Sequence, residues 1–199
     1  MVGAAWDGVC GGGVDWCPVS GAQVPYKNAI TTELYFTGAM LLHPHAAVLG
    51  KAPGYYLDWA ARMWGWFGAS GLVNAAGLVN DGLDGATCRN NGQTTWTYNQ
   101  GVLLEGLALL GAATGNASLV ALAGSIAGAV AAGAGGLSPG GILEEPCGGP
   151  CSGDQLIFKG IYVRHLARLA ALAPGAAPPS GAAAAPKQTT LLGMMRKAT

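Results

Sequence analysis

Trp96, Tyr98, Asn99 and Gln100 crowd into one short stretch, Thr94–Gly101, which reads Thr-Thr-Trp-Thr-Tyr-Asn-Gln-Gly. An aromatic ring covers the apolar face of a pyranose, and primary amides pair with hydroxyls as donors and as acceptors. These residue types therefore suit a sugar subsite. They also suit a plain helix start, with Asn99 opening the helix and the aromatics packing behind it. A second polar knot, Asn80-Asp81-Gly82-Leu83-Asp84, stands just upstream. Asp81 could accept hydrogen bonds from substrate hydroxyls, and a catalytic role is not assigned to it. Asp84 reads as a turn residue bonded to nearby backbone N–H groups. Two polar, glycine-bearing loops that end on helices resemble the lip of a pocket, since helices hold such loops in place.

Other candidates are weaker. Cys10-Gly11-Gly12-Gly13-Val14-Asp15-Trp16-Cys17 brings three glycines together. They permit positive φ or a close backbone approach, but no Gly-Lys-Ser/Thr follows, so a phosphate loop is rejected. Trp16 could stack on a sugar, whereas Asp15 is read as structural. Tyr26, Lys27 and Asn28 either line a pocket or open the first helix. Trp59, Trp64 and Trp66 fall at helical spacing and belong to the core. His43, His45 and His165 are isolated, and Lys159 is assigned a structural bridge to a carboxylate such as Asp154 or Glu145. Cys10, Cys17, Cys88, Cys147 and Cys151 sit in Gly/Pro-rich surroundings and read as disulfides with one thiol left over, the pairing open. Zinc is disfavoured, because Cys147 and Cys151 have no second paired set and no histidine nearby.

The 199 residues carry no net charge, and only 10% are charged. No basic stripe is present to neutralise phosphates, so nucleic acid is excluded as a partner. The longest apolar run, Ala121 to Leu137, is mostly alanine and glycine, so a buried helix is expected and not a membrane span. No signal peptide is visible after Met1. The cysteines and the acceptor pattern Asn116-Ala117-Ser118 point the other way, to a secretory route.

Periodicity and punctuation predict five helices. The first covers Asn28 to Leu42 and stops at His43-Pro44. Pro53 opens the second, with Leu57, Ala60, Ala61, Trp64 and Phe67 on its apolar side, ending near Gly68 to Gly71. After a polar loop from Val73 to Thr97, the third runs from near Asn99 to Thr114-Gly115. Asn116 caps the fourth, which carries Leu119, Leu122, Ile126 and Val130. Ile142 to Glu145 is a short extended piece, and Asp154 caps the fifth, with Phe158, Ile161, Tyr162, Leu166 and Leu169 on its apolar side. Residues 174–199 are rich in Pro, Ala and Gly and are expected to be disordered. Paired helices with polar loops at alternate joins predict an all-α arc of helical hairpins.

The order of motifs resembles glycoside hydrolase family 76. The likeness starts at Ala5-Trp6-Asp7 and the glycine-rich Cys10–Trp16 signature. It continues through Tyr26-Lys27-Asn28-Ala29-Ile30, Trp64-Gly65-Trp66-Phe67, Leu78–Asp84 and Trp96–Gly101. It ends with Leu143-Glu144-Glu145, Cys147, Cys151, Asp154-Gln155 and Phe158-Lys159-Gly160. The resemblance implies an (α/α)6 barrel, here a partial one, that hydrolyses or transfers α-1,6-linked mannan without a cofactor or metal. It also implies a secreted or cell-wall setting. Family chemistry rests on two adjacent aspartates, one attacking the anomeric carbon and one protonating the leaving oxygen. This chain has no Asp-Asp, and the pair is expected upstream of Met1. Residues 1–173 are accordingly expected to be an incomplete domain with little hydrolysis of its own. Its expected substrate-binding residues are Trp16, Asn28, Asp81, Trp96, Tyr98, Asn99 and Gln100. The competing expectations are a non-catalytic sugar-binding remnant and a purely structural helical scaffold.

Overall fold

The computed structural model describes residues 5–17, 26–174 and 176. The expected tail, 174–199, lies almost wholly outside the described residues. Five α-helices are present among those described: α1 (Ala29–Leu42), α2 (Tyr55–Ala69), α3 (Thr97–Thr114), α4 (Ala117–Ala131) and α5 (Gly153–Leu172). Among the described residues, strand-like pairing between the loops is confined to isolated bridges, such as Trp6 with Val14 and Asn28 with Gly82.

α3 is the hub and packs on α1, α4 and α5, while α2 packs on α1. Its residues Thr97–Ala108 are buried without a break, so every side of that stretch is covered. A helix that is apolar all round belongs in the middle of a layered structure. Glycines set how near its neighbours come. A Cβ on Gly101 would lie 2.6 Å from the Tyr162 Cα of α5, and one on Gly106 would lie 2.5 Å from the Phe36 ring of α1. The remaining core comes from Phe36 and Met40 of α1, Met63 and Phe67 of α2, Ile126 and Val130 of α4, and Leu166 and Leu169 of α5. This is the predicted arc of helices.

The helix starts differ from the sequence reading in small, physical ways. Asn28 lies outside α1 as its N-cap, and its side chain accepts from the Thr31 N–H. One residue, Gly54, separates Pro53 from α2, whose buried stripe is Tyr56, Ala60, Met63 and Phe67 and leaves Ala61 exposed. α3 begins at Thr97, two residues before Asn99. Asn116 does cap α4. Asp154 does not cap α5. Ser152 does, in a reciprocal box with Gln155 that satisfies two N–H groups where one aspartate would satisfy fewer. No helix among the described residues is long and apolar enough to cross a membrane.

Candidate functional site

Two disulfides staple the loops. Cys10–Cys88 ties the glycine-rich segment to the loop before α3, and Cys147–Cys151 closes the turn before α5. Cys17 is the free, exposed thiol.

The glycine run serves packing. Cβ atoms on Gly12 and Gly13 would clash with the Trp6 and Trp66 rings, and both glycines hold positive φ. The Trp66 indole N–H donates to the Cys10 carbonyl at 3.0 Å. What the backbone approaches closely is therefore its own tryptophan cluster. Beneath it lies Lys27, with its ammonium 2.6 Å from Asp7 and 3.2 Å from Asp15. Lys27 thus neither lines a pocket nor caps a helix; it neutralises two carboxylates. Burial raises the Asp7 carboxyl, but the Lys27 ammonium and the Val9 N–H outweigh it and leave the group lowered. Asp15 is raised by burial and by its neighbour Asp7, against the pull of Lys27.

Asp81 lies at the N-terminal end of α1, where its backbone carbonyl accepts from the Ala29 N–H at 2.8 Å. Its carboxylate accepts from the Tyr26 hydroxyl and from the Tyr98 hydroxyl, the latter at 3.4 Å. Asn91 donates to the Tyr26 oxygen at 3.2 Å. Burial, followed by the Asp81 charge, pushes the Tyr26 phenol up to about 12 and the Tyr98 phenol higher still. Both phenols therefore stay protonated donors to the Asp81 carboxyl oxygens. The Tyr98 ring meets Phe158 edge-on at 4.2 Å between centroids, and Trp96 meets the same ring at 5.6 Å. In the sequence Phe158 falls on a helix's apolar side and within the family-like stretch Phe158-Lys159-Gly160. Its place between two candidate sugar-facing aromatics had no local signal, since α5 lies more than fifty residues further along the chain.

Glu145 caps the start of α3. Its carboxylate accepts from the Thr97 N–H at 3.1 Å and from the Thr97 hydroxyl. Burial raises this carboxyl, opposed by Thr97 and by the charge of Lys159. Beside it opens a polar cleft of about 410 Å³ lined by Asn80, Gly92, Gln93, Thr94, Thr95, Gly135 and Pro146.

The seven residues expected to bind substrate do not fall in one place. Asp81, Tyr98 and Trp96 share the carboxylate–aromatic cluster. Trp16 is 61% exposed and is separate from that cluster's aromatic contacts. Asn28 is a buried helix cap, as above. Gln100 corrects the expectation of an open amide: it is fully buried and clamps Val79, accepting from its N–H and donating to its carbonyl, both at 2.8 Å. Asn99 corrects it too, being fully buried with no partner for either amide atom. The physical reason is the same for both: α3 is enclosed on all sides, so its polar residues are enclosed with it. Asp84 bonds the Thr87 and Ala86 N–H groups, as a turn aspartate does. His165 is less isolated than its sequence context: its Nδ1 lies 2.7 Å from a carboxyl oxygen of the buried Glu105, and the Arg168 Nε donates to the other at 2.9 Å.

Comparison with known proteins places this architecture. The model of glycosyl hydrolase family 76 matches residues 1–185. The mannan endo-1,6-alpha-mannosidase DCW1 of Candida glabrata is 32% identical over 189 residues, covering 85% of this chain and 38% of that protein. The crystal structure of Dfg5 from Chaetomium thermophilum, in complex with glucosamine, superposes with a TM-score of 0.71 at 25% identity. That match covers 86% of this chain and 42% of the other. An inactive variant of the α-1,6-mannanase GH76A of Salegentibacter, in complex with an α-1,6-linked tetrasaccharide of mannose, gives 0.68 at 29% identity, covering 85% and 47%. This chain thus spans well under half the length of the curated relative it matches. With its partial (α/α)6 barrel and with the family model running over almost all of its residues, the chain belongs to glycosyl hydrolase family 76.

Proposed function

We propose that this chain forms a sugar-recognising part of a glycosidase or transglycosidase that acts on α-1,6-linked mannan. The observation that carries this reading is the cluster of Asp81, Tyr26, Tyr98, Trp96 and Phe158 on the arc. A carboxyl group held by two phenols has oxygens to accept from sugar hydroxyls, and the half-buried Trp96 and Phe158 rings offer a surface for the apolar face of a pyranose, with the buried Tyr98 supporting them from within. The polar cleft lined by Asn80, Gln93, Thr94, Thr95 and Pro146 offers further backbone and amide groups. Trp16, being exposed, is a separate stacking platform for the same polymer. Asn28 and Gln100 contribute by holding the helix starts beneath the site. The two disulfides support a secretory or cell-wall setting, since such bonds persist in oxidising compartments.

The test is calorimetric titration of the chain with α-1,6-mannotetraose. Asp81→Asn and Trp96→Ala should each weaken binding by about tenfold or more, the loss of a charge-assisted hydrogen bond or of a stacked ring. Gln100, being a clamp, is the wrong residue to probe for direct contact. Binding that survives both substitutions refutes the site. Release of mannose oligomers from α-1,6-mannan is to be followed in parallel. Little turnover is expected, and robust turnover by this chain would show that the reacting carboxylates lie within it.

A further inference from the structure

Tyr55, Asp58, Trp59 and Arg62 recur along α2 at steps of three and four, so they share one face of the helix. It is not the face that carries the buried stripe of Tyr56, Ala60, Met63 and Phe67. Asp58 and Arg62 are exposed, and the two aromatic residues are half-buried. The outward side of a surface helix is ordinarily charged or polar, so two large rings there call for a reason. The four side chains bound a cavity of about 240 Å³. That is room for roughly eight waters, the scale of a single pyranose ring.

Arg62 is held from behind. Its guanidinium carbon lies 4.9 Å from the centre of the Trp6 ring and 5.1 Å from that of Trp59, and the two indoles meet edge-on at 6.2 Å. A guanidinium stacked on indoles has its fork of N–H donors ordered in advance. Among the described residues the ion pairs run through Lys27, His165 and Arg168. Arg62 and Asp58, one turn apart, therefore border the cavity without an ion pair, although acid and arginine at this spacing suit one another. Lys51 lies 5.1 Å over the Tyr55 ring.

This cavity is separate from the Asp81 cluster. The C-terminal end of α2 stands near that cluster, where the Asn80 N–H donates to the Leu72 carbonyl at 3.0 Å and the Asp81 carbonyl accepts from the Ala29 N–H. Tyr55 opens α2 at its other end, and the 15 residues of the helix put about 20 Å between the two ends.

We propose that this face of α2 is a second carbohydrate-binding site, which takes one neutral hexopyranose unit of a glycan. Tyr55 and Trp59 offer ring surface to the C–H face of the sugar. Arg62 donates and Asp58 accepts, so two neighbouring hydroxyls meet one group of each kind. An anionic ligand would find Arg62 but also an acidic residue set against it, and like charges brought together reject a partner. A polymer held at the Asp81 cluster could then be gripped at a second point, where linkage to the first raises the effective concentration. The mannan reading enters only through the choice of sugar.

The test is ¹⁵N NMR of the full chain titrated with α-1,6-mannotetraose. The six tryptophans give six indole N–H signals. Trp59→Phe and Trp96→Phe assign two of them by loss, and Arg62→Lys assigns the Arg62 Nε–H. The Trp59 and Arg62 signals should shift and saturate, and should do so equally in Asp81→Asn. In Asp58→Ala, a change at an exposed position, the affinity read from these two signals should fall by about tenfold, the loss of one hydrogen bond to a charged group. The affinity read from Trp96 should stay the same. Signals that stay still at the highest soluble concentration of sugar overturn the proposal, as do signals that follow Trp96 in Asp81→Asn or that ignore Asp58→Ala. So does a response to inorganic phosphate without one to sugar, which marks an anion site. If Trp59 and Arg62 respond while Trp96 is silent, the reading of the Asp81 cluster fails and the site on α2 stands. The reverse result sinks the site on α2 alone.

Discussion

Replacing Lys27 by methionine tests the polar floor under the tryptophan cluster. The change keeps the aliphatic stem and removes only the charge. In the fold that ammonium is 1% exposed and serves two carboxylates, at 2.6 Å to Asp7 and 3.2 Å to Asp15. Breaking a buried pair by removing one partner typically costs about 3 to 5 kcal/mol. The two carboxylates are not equally buried: the Asp7 side chain is 39% exposed and the Asp15 side chain 12%. Water partly screens Asp7, so its share is discounted. The lower end, about 3 kcal/mol, is expected at neutral pH. The pH dependence has a definite shape. Asp7 is lowered in the fold, so its contribution is present above its unfolded value and lost as pH falls through the folded one. Asp15 is raised, so it opposes folding as pH rises through its folded value, and removing the cation makes that worse. The penalty of Lys27→Met should therefore shrink as acid protonates both carboxylates. Urea unfolding at neutral pH and again at about pH 3, below the ordinary carboxylate range, reads this directly. A second variant, Lys27→Met with Asp7→Asn, should lose less stability than the sum of the two changes, since each removes the other's partner. A penalty under about 1 kcal/mol at neutral pH would be that of an exposed pair. That result, or a penalty that ignores pH, would refute the buried triad.

Two further substitutions probe the helix layer by the same unfolding measurement. Gly101→Ala places a methyl 2.6 Å from a backbone atom of α5, which cannot swing aside, so a loss of about 1 to 3 kcal/mol is expected from overpacking. An unchanged midpoint would mean that α3 and α5 are not in close contact. Gln100→Leu leaves both the N–H and the carbonyl of Val79 without their side-chain partner. With each unsatisfied buried group costing about 1 to 3 kcal/mol, a loss near 3 is expected, and a neutral result would free Gln100 for the groove after all.

The helices were legible because their signals are local. Apolar residues recur at three- and four-residue steps, Asn116 announces α4, and His43-Pro44 ends α1, so number and order follow from short windows of sequence. The start of α5 was equally local and was misread, since Ser152 with Gln155 three positions on is the stronger pattern than Asp154 alone. The site was legible in part, for a different reason. Polar residue types say what chemistry is available and nothing about which way a side chain faces. Asn99 and Gln100 suggest sugar ligands beside Trp96 and Tyr98, yet both are enclosed. Leu103, Leu104, Leu107 and Leu110 mark only one face of α3; the opposite sides are closed where Gly101 and Gly106 let α5 and α1 come near, which no leucine pattern announces. The groupings of Lys27 with Asp7 and Asp15, and of Asp81 with Tyr26 and Tyr98, join residues about twelve to fifty-five positions apart. No window of sequence contains them, because the bridges of Asp15 with Lys27 and of Asn28 with Gly82 make such neighbours at the start of α1, and that meeting of loops is a property of the packed fold.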